Sequence, residues 1–509
     1  MQPQGNAYNL PLGQTVNRAL VLSAAVLGLS AAAGGQEPES VAAVVPGVTA
    51  PLLSRDAAED SVAPTPGATT IGLADAVAAA LRQNFGMLTA VDSVVTSRMR
   101  ETVARAQFYP KLVPAYGESE YGRAFELDLR QKLPWTGASI SAGAALRSSI
   151  ADAVALPRTS NARIVLTQPL LRGFGPNAAH YDLRNSQRGR ESQERTFELT
   201  RQRVAIQATS AFYQVILQRQ LLAVARQSLK RSQSLLKASE ARLAVGLVSK
   251  LDVFRAELQA SQGEDAMVRA QTSLEGALES FRSTLGLPAS DPVEPEAVEL
   301  PEIAVEEVLE PIEVLVARGQ AARIDLAESR DEVEDARRTA SLARQNLLPQ
   351  LDLNFSMTQL GLGTTYGSAW KTADRRFNLF LSSSYPLERS AQSANRGEAE
   401  LNLAGRQRTL RQQQLQIDLE VRSAARELLR LAKSIELQRK AVDIAEQQRQ
   451  LATLRYQRGL ASNFDVVDAE GSLVLARSAL VGLLTSHRLA RYELLRATGS
   501  LDVETEFLK

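Results

Sequence analysis

Asp465 and Asp468 stand three residues apart in a stretch of helical periodicity, so their carboxylates share one helix face. Such a pair attracts cations and repels anions, and each carboxylate raises the pKa of the other. At the matching place earlier in the chain, Asp252 is followed by Arg255, an acid and a base. Each site begins with a Gly and a Ser: Gly246, Ser249 and Asp252, then Gly459, Ser462 and Asp465. That order reads as a helix stop, an N-cap and a first-turn acid answering the dipole of the next helix. Little else has the makings of chemistry. The absence of Cys removes thiolate nucleophiles, thiolate metal sites, disulfides and a lipidated cysteine anchor. Only two His are present, His180 and His487, which leaves no basis for a histidine-built catalytic or zinc site; both read as surface residues. Five Met without clustered His do not favour copper or silver traffic, and Gly173-Phe174-Gly175 is too short for a phosphate loop. No enzyme, metal or cofactor is expected.

The elements that position these residues occur twice. Gly246 and Gly459 are 213 residues apart (459 − 246), and the register holds without a gap to Gly286 and Gly499. Within it Leu247, Ser249, Asp252, Val253, Ala256 and Glu257 recur as Leu460, Ser462, Asp465, Val466, Ala469 and Glu470, and Arg242 as Arg455. Pro110 and Pro349 pair at a second offset of 239 (349 − 110). Spacings this long exceed the period of solenoids and propellers and point to duplication of a whole folding unit. The expected organisation is an export signal over 1–33, a disordered linker over 34–70, a first repeat over 71–287, an inter-repeat linker over 288–311, a second repeat over 312–499 and a tail over 500–509. The signal rests on Arg18, the apolar run Ala19 to Leu29, and Ala31 to Ala33 before a cleavage point near Gly34.

Apolar spacing changes twice within each half. Helical periodicity covers Leu73 to Phe108, about Ala179 to Leu243 and onward to Leu285, then Ile312 to Leu348, about Glu398 to Gln457 and onward to Thr498. Ile417, Val421, Ala424, Leu428, Leu431 and Ile435 form one such stripe. A helix from Ala179 to Leu243 would span about 100 Å, and two shorter helices stacked end to end could run back along it. Between the helices the pattern alternates. Phe125, Leu127 and Leu129, then Ile140 to Leu146, Ile164 and Leu166, Leu351 to Met357, and Phe377 to Leu381 read as strands with one apolar face. Segments from Leu112 to Leu133 remain as surplus strand-like sequence.

Mature residues contain no run long and apolar enough for a membrane helix, so a membrane role would need strands. Two strands per half give four per chain, too few to close, whereas three chains give twelve and leave no free edge. In such a trimer Asp465 and Asp468 become a ring of six carboxylates. The expected fold is therefore an α+β membrane protein, a long α-helical hairpin barrel continuous with a trimeric 12-stranded β-barrel built from two tandem repeats. Trp135, Trp370, Tyr116, Tyr121 and Tyr366 fall near strand ends, as bilayer-interface anchors or as packing under loops. A net charge of +1 offers no field for nucleic acid. The alternative is a periplasmic coiled-coil adaptor or scaffold with a small sheet.

This order of helix, strands, long helix, Gly-bearing turn and return helix resembles the TolC-like outer-membrane efflux protein (outer membrane factor) family over Ile71 to Thr498. The most specific segments are the turns from Val245 to Val253 and from Arg458 to Val466. Gln168-Pro169-Leu170 and Tyr385-Pro386-Leu387 are similar to the family's strand exits. Arg323-Ile324-Asp325-Leu326 also resembles it, with Ile324 where the family often has Pro; Asn84-Phe85-Gly86-Met87 lacks that Pro too. The resemblance implies a homotrimer set in outer-membrane lipid, with its helical tunnel in the periplasm. It implies passive export when a periplasmic adaptor (membrane fusion) protein and an inner-membrane pump engage, in tripartite efflux or type I secretion. It further implies a pore constriction at Asp465 and Asp468, gate-linking roles for Asp252 and Tyr456, and adaptor-docking tips at Gly246, Leu247, Val248, Gly459, Leu460 and Ala461. Ala461 stands where a basic gate residue occurs in the family.

Overall fold

In a computed structural model the described residues are 68–119, 122–151, 154–155, 158–297, 310–371 and 373–507, all within one unit, Asp60–Lys509. The expected export signal, nearly all of the linker after it, Tyr121 and the centre of the inter-repeat linker lie outside them. β1 (Thr69–Ile71) leads into α1 (Leu73–Gln83) and α2 (Phe85–Arg105). Four strands and a two-residue one follow: β2 (Lys111–Ser119), β3 (Gly122–Lys132), β4 (Ser139–Ala151), β5 (Val154–Ala155) and β6 (Arg158–Pro169). A short α3 (Pro176–Ala179) precedes α4 (Tyr181–Ala244) and its return, α5 (Lys250–Leu285). Beyond β7 (Val293–Pro295) come α6 (Ile312–Ala322), α7 (Ile324–Gln345), β8 (Gln350–Gly363), α8 (Tyr366–Lys371) and β9 (Asp374–Ser384). The chain then runs through α9 (Ser390–Gln457), α10 (Asn463–Ala497) and α11 (Val503–Phe507).

α4 is 64 residues long, about 96 Å at 1.5 Å per residue, and α9 has 68. Helices of that length need partners along their whole course. α2 and α5 both pack along α4, and α7 and α10 along α9, so two shorter helices share one long neighbour as the lengths require. The stripe Ile417, Val421, Leu428, Leu431 and Ile435 is buried, and most of it joins Leu315, Val316, Leu326 and Leu494 in one core. A second core joins Val77, Phe212, Ile216, Phe281 and Leu285, and Leu501, Val503 and Phe507 from beyond the second repeat fill it. Arg219 and Glu294, both almost fully buried, pair at 2.6 Å and tie β7 to α4; Arg219 also donates to the Pro295 carbonyl. Each of these charges therefore has a partner, as burial demands.

Both entry helices are broken once. Asn84 and Arg323 leave the helical region, at ψ 128° and 127°, and separate α1 from α2 and α6 from α7. The glycines that end the return helices lie against these joints with left-handed φ of 82° and 67°. A Cβ on Gly286 would sit 2.4 Å from the Gln83 carbonyl oxygen, and one on Gly499 3.0 Å from the Arg323 nitrogen. Gly286 has no room for a side chain, and at Gly499 the approach is tight.

The strand count differs from expectation. One sheet runs β2, β3, β4, β6, β8, β9 with every neighbouring pair antiparallel, and β5 pairs beside β4. The first half therefore gives four strands to this path and the second half two, not two each. The surplus segment folds as the β2–β3 hairpin, laid along β4 from Gly122 opposite Ser149 to Lys132 opposite Ser139. The chain reverses at Leu133 to Ala138, where the Leu133 amide donates to the Ala138 carbonyl at 2.7 Å and Gly137 adopts φ 78°. Three chains of six strands no longer give twelve. In sequence β2 hides its period, because Leu112, Val113, Pro114, Ala115, Tyr116 and Gly117 place no charged or amide side chain on either face.

Register gathers most of the large apolar residues of the six strands on one side, with Val113, Val165, Leu360, Leu362 and Phe380 on the other. Leu112, Pro114 and Tyr116 align with Phe125, Leu127 and Leu129, and these with Ile140, Ala142, Ala144 and Leu146. Ala162, Ile164 and Leu166 continue the band to Leu353, Phe355 and Met357, and on to Phe377, Leu379 and Leu381. The other side carries Glu126, Asp128, Arg130, Arg147, Arg163, Asp352 and Asn354, with a Glu126–Arg147 ion pair. Among the described residues no helix is long and apolar enough to cross a membrane.

Candidate functional site: the paired helical tips

The two Gly-Leu turns close by the same hydrogen bonds. At the first, the Gly246 amide donates to Leu243 and the Leu247 amide to Arg242, both at 2.9 Å; at the second, Gly459 donates to Tyr456 at 3.0 Å and Leu460 to Arg455 at 2.9 Å. Gly246 and Gly459 hold φ of 76° and 73°, the left-handed stop that ends a helix without strain. Both next helices open with a capping box. The Ser249 hydroxyl donates to Asp252 at 2.7 Å and accepts from its amide at 3.2 Å; Ser462 and Asp465 do the same at 2.8 and 3.4 Å. Leu247 and Leu460, each 74% exposed, project where no other described residue covers them.

The turns sit side by side around a groove of about 330 Å³ lined by Arg242, Leu247, Asp252, Tyr456, Ala461 and Asn463, among others. Arg242 is the central fastening. Its guanidinium lies 4.2 Å from the centre of the Tyr456 ring and donates to the Tyr456 and Gln457 carbonyls at 2.8 and 3.2 Å. The buried Tyr456 hydroxyl meets Ser239 at 3.1 Å. Asn463, 1% exposed, donates from its side-chain nitrogen to the Asp252 carbonyl at 2.8 Å. Higher up, Arg231 on α4 pairs with Glu470 on α10 at 2.6 Å.

Asp252 and Tyr456 do lie at the contact between the hairpins, but each chiefly through its backbone carbonyl or its ring rather than through a direct bond to the other. Arg242, Ser239 and Asn463, which complete the fastening, were not expected there. The recurrence of Arg242 as Arg455 was the one signal for them in the sequence. Asp465 and Asp468 are both exposed on α10, whereas Arg255 on α5 lies 3.9 Å from the Asp252 carboxylate. The second tip is thus the acidic one. Hydrogen bonds from the Ser462 hydroxyl and amide hold the Asp465 carboxyl below its ordinary value. Within one protomer that direction is opposite to the rise expected from crowded carboxylates, because the cap donors meet the carboxylate directly.

His487 corrects another expectation. It is 4% exposed, since it shares the inward face of α10 with Ala490 and Leu494, at spacings of three and four. His180 precedes α4 with its ring 5.2 Å from that of Phe108 and its Nδ1 3.2 Å from the Pro176 carbonyl. Among the described residues no group of His, Cys, Asp and Glu is arranged to hold a metal.

Residues 315–500 match the model of the outer membrane efflux protein family. No match is found among curated protein sequences. Among solved structures, the outer membrane protein VceC from Vibrio cholerae is 17% identical, with a TM-score of 0.66 over 84% of this chain and 96% of that one. The CmeC outer membrane channel of Campylobacter jejuni is 13% identical, with a TM-score of 0.65 over 89% and 94%. The open state of the MtrE outer membrane channel of Neisseria gonorrhoeae is 16% identical, with a TM-score of 0.65 over 88% and 97%. The family match thus runs from α6 through α10, and the chain shares its fold along most of its length with these outer membrane channels.

Proposed function

We propose that three copies of the chain form a passive exit duct, the outer-membrane component of a tripartite efflux pump or type I secretion system. The observation that carries this reading is the sheet with one continuous apolar side, joined directly to helices of 64 and 68 residues. The first suits lipid and the second can reach through the periplasm. A periplasmic adaptor or scaffold would have no use for the exposed row Leu353, Phe355, Phe377, Leu379 and Leu381. The matching capping boxes, and glycines that close the same helix joint in each half, support descent from two tandem repeats.

In the trimer Asp465 and Asp468 of α10 form the constriction, a ring of six carboxylates that admits cations and repels anions. Asp252 and Tyr456, with Arg242 and Asn463, hold the hairpins together below it. The turns at Gly246, Leu247, Val248, Gly459, Leu460 and Ala461, exposed except for the half-buried Val248 and Ala461, dock a periplasmic adaptor that also holds the inner-membrane pump. Two measurements on the full-length protein test this. Sucrose-gradient fractionation is expected to recover it with outer membranes, and light scattering of the detergent-solubilised protein to give three chains. Recovery in the soluble or inner-membrane fraction would sink the channel reading, and a monomer would sink the ring.

A further inference from the structure

The unexpected β2–β3 hairpin bears on how the barrel closes. Resting on the trimeric reading above, we propose that the hairpin is part of the membrane wall, that β2 of each protomer pairs with β9 of the next, and that the barrel therefore has eighteen strands.

Four observations support it. First, the hairpin belongs to the sheet: β3 pairs with β4 over its whole length, and β2 with β3 over all nine of its residues. Second, its outward residues continue the apolar band. Leu112, Tyr116 and Phe125 are 61%, 64% and 45% exposed, comparable to Leu353, Phe377 and Leu379 at 38%, 63% and 69%. A hairpin folded away in water would have no reason to align these with the lipid-facing rows of its neighbours. Third, the charges on that side, Glu118, Arg123, Arg158 and Arg375, all fall at the strand ends remote from the helices. Headgroups would meet them there, and the middle of the band carries none. Fourth, β2 and β9 are the two free edges, and six alternating strands leave them running in opposite directions. An antiparallel seam between copies is then possible, and in hydrocarbon every edge has to be paired.

Width follows from strand number. With strands about 4.8 Å apart and tilted ~40°, the backbone diameter is roughly 36 Å for eighteen strands against roughly 24 Å for twelve. A lumen half again as wide, lined by Glu126, Asp128, Arg130, Arg147 and Arg163, would not be the narrowest part of the duct. Selection by size then falls to the helical tips.

Cysteine cross-linking tests the seam without background, because the chain has no Cys. Ala115→Cys on the lumen side of β2 is combined in turn with Arg376→Cys, Asn378→Cys, Phe380→Cys and Ser382→Cys on the lumen side of β9. A parallel series uses Ala145→Cys on β4. After mild oxidation in membranes, at least one Ala115 pair is expected to give covalent dimers and trimers on non-reducing gels, and the Ala145 series none. Cross-linking through Ala145 would mean a twelve-stranded wall with the hairpin outside it. No product in either series from protein that scatters as a trimer would overturn the β2–β9 seam. Protein that scatters as a monomer would remove the trimeric reading itself.

Discussion

At the level of single residues, the acidic tip is where charge and backbone geometry meet. Asp465 does two things: it caps α10 through Ser462, and with Asp468 it gives the second tip an acidity that Arg255 cancels at the first. Replacing Asp465 and Asp468 by Ala is expected to raise single-channel conductance and to weaken block by multivalent cations in planar bilayers. Unchanged conductance would place the constriction elsewhere. The cap also sets a pH dependence. Because the folded Asp465 carboxyl titrates below its ordinary 3.8, the cap's stabilisation is complete above that value and is lost as pH falls through the lowered one. Amide exchange at Ser462 and Asp465, followed downward from neutral pH, should therefore show the turn loosening only below 3.8. Loosening above that pH would mean that crowding among six carboxylates outweighs the cap.

Between elements, the joints in the entry helices explain why the return helices end in glycine. Gly286 and Gly499 need a left-handed backbone and an open approach at once, and the approach is closer at Gly286. Gly286→Ala should lower stability by more than about 1 kcal/mol from the backbone alone, with the clash against Gln83 adding to it. Gly499→Ala should cost less, since its nearest neighbours lie 3.0 Å away rather than 2.4 Å. Hydrogen exchange across α1 and α6 reads both, and equal effects would mean that strain alone matters. At this scale much was legible in the sequence. Helical spacing located the long helices to within about ten residues at their outer ends, and the repeated Gly, Ser and Asp located both turns. The breaks at Asn84 and Arg323 were not legible as breaks, because the apolar stripe continues across them and neither site has the Pro that would have marked it.

For the whole molecule, the sidedness of the sheet makes the most direct prediction. Leu379→Arg places a charge in the middle of the apolar band and should cost about 2–4 kcal/mol if that row faces the bilayer core. Asn378→Arg, one residue away on the lumen side, should be tolerated. Yield of folded protein in the outer membrane distinguishes them, and equal losses would mean that the sheet is not lipid-facing.

The sequence by itself determined the elements whose signal is local. Helix lengths follow from the spacing of Ile417, Val421, Leu428 and Leu431, the turns from Gly246 and Gly459, and the sided strands from alternation such as Leu351 to Met357. Only the tertiary structure decided what depends on residues far apart meeting. Six strands join one sheet because β3 finds β4 across the Gly137 turn, and β2 alternates too weakly to announce itself. Arg242 fastens the hairpins because Tyr456 and Gln457 come beside it from 214 and 215 residues away. Nothing local to Arg242 encodes that meeting, since a guanidinium needs carbonyls and an aromatic face that only packing brings to it.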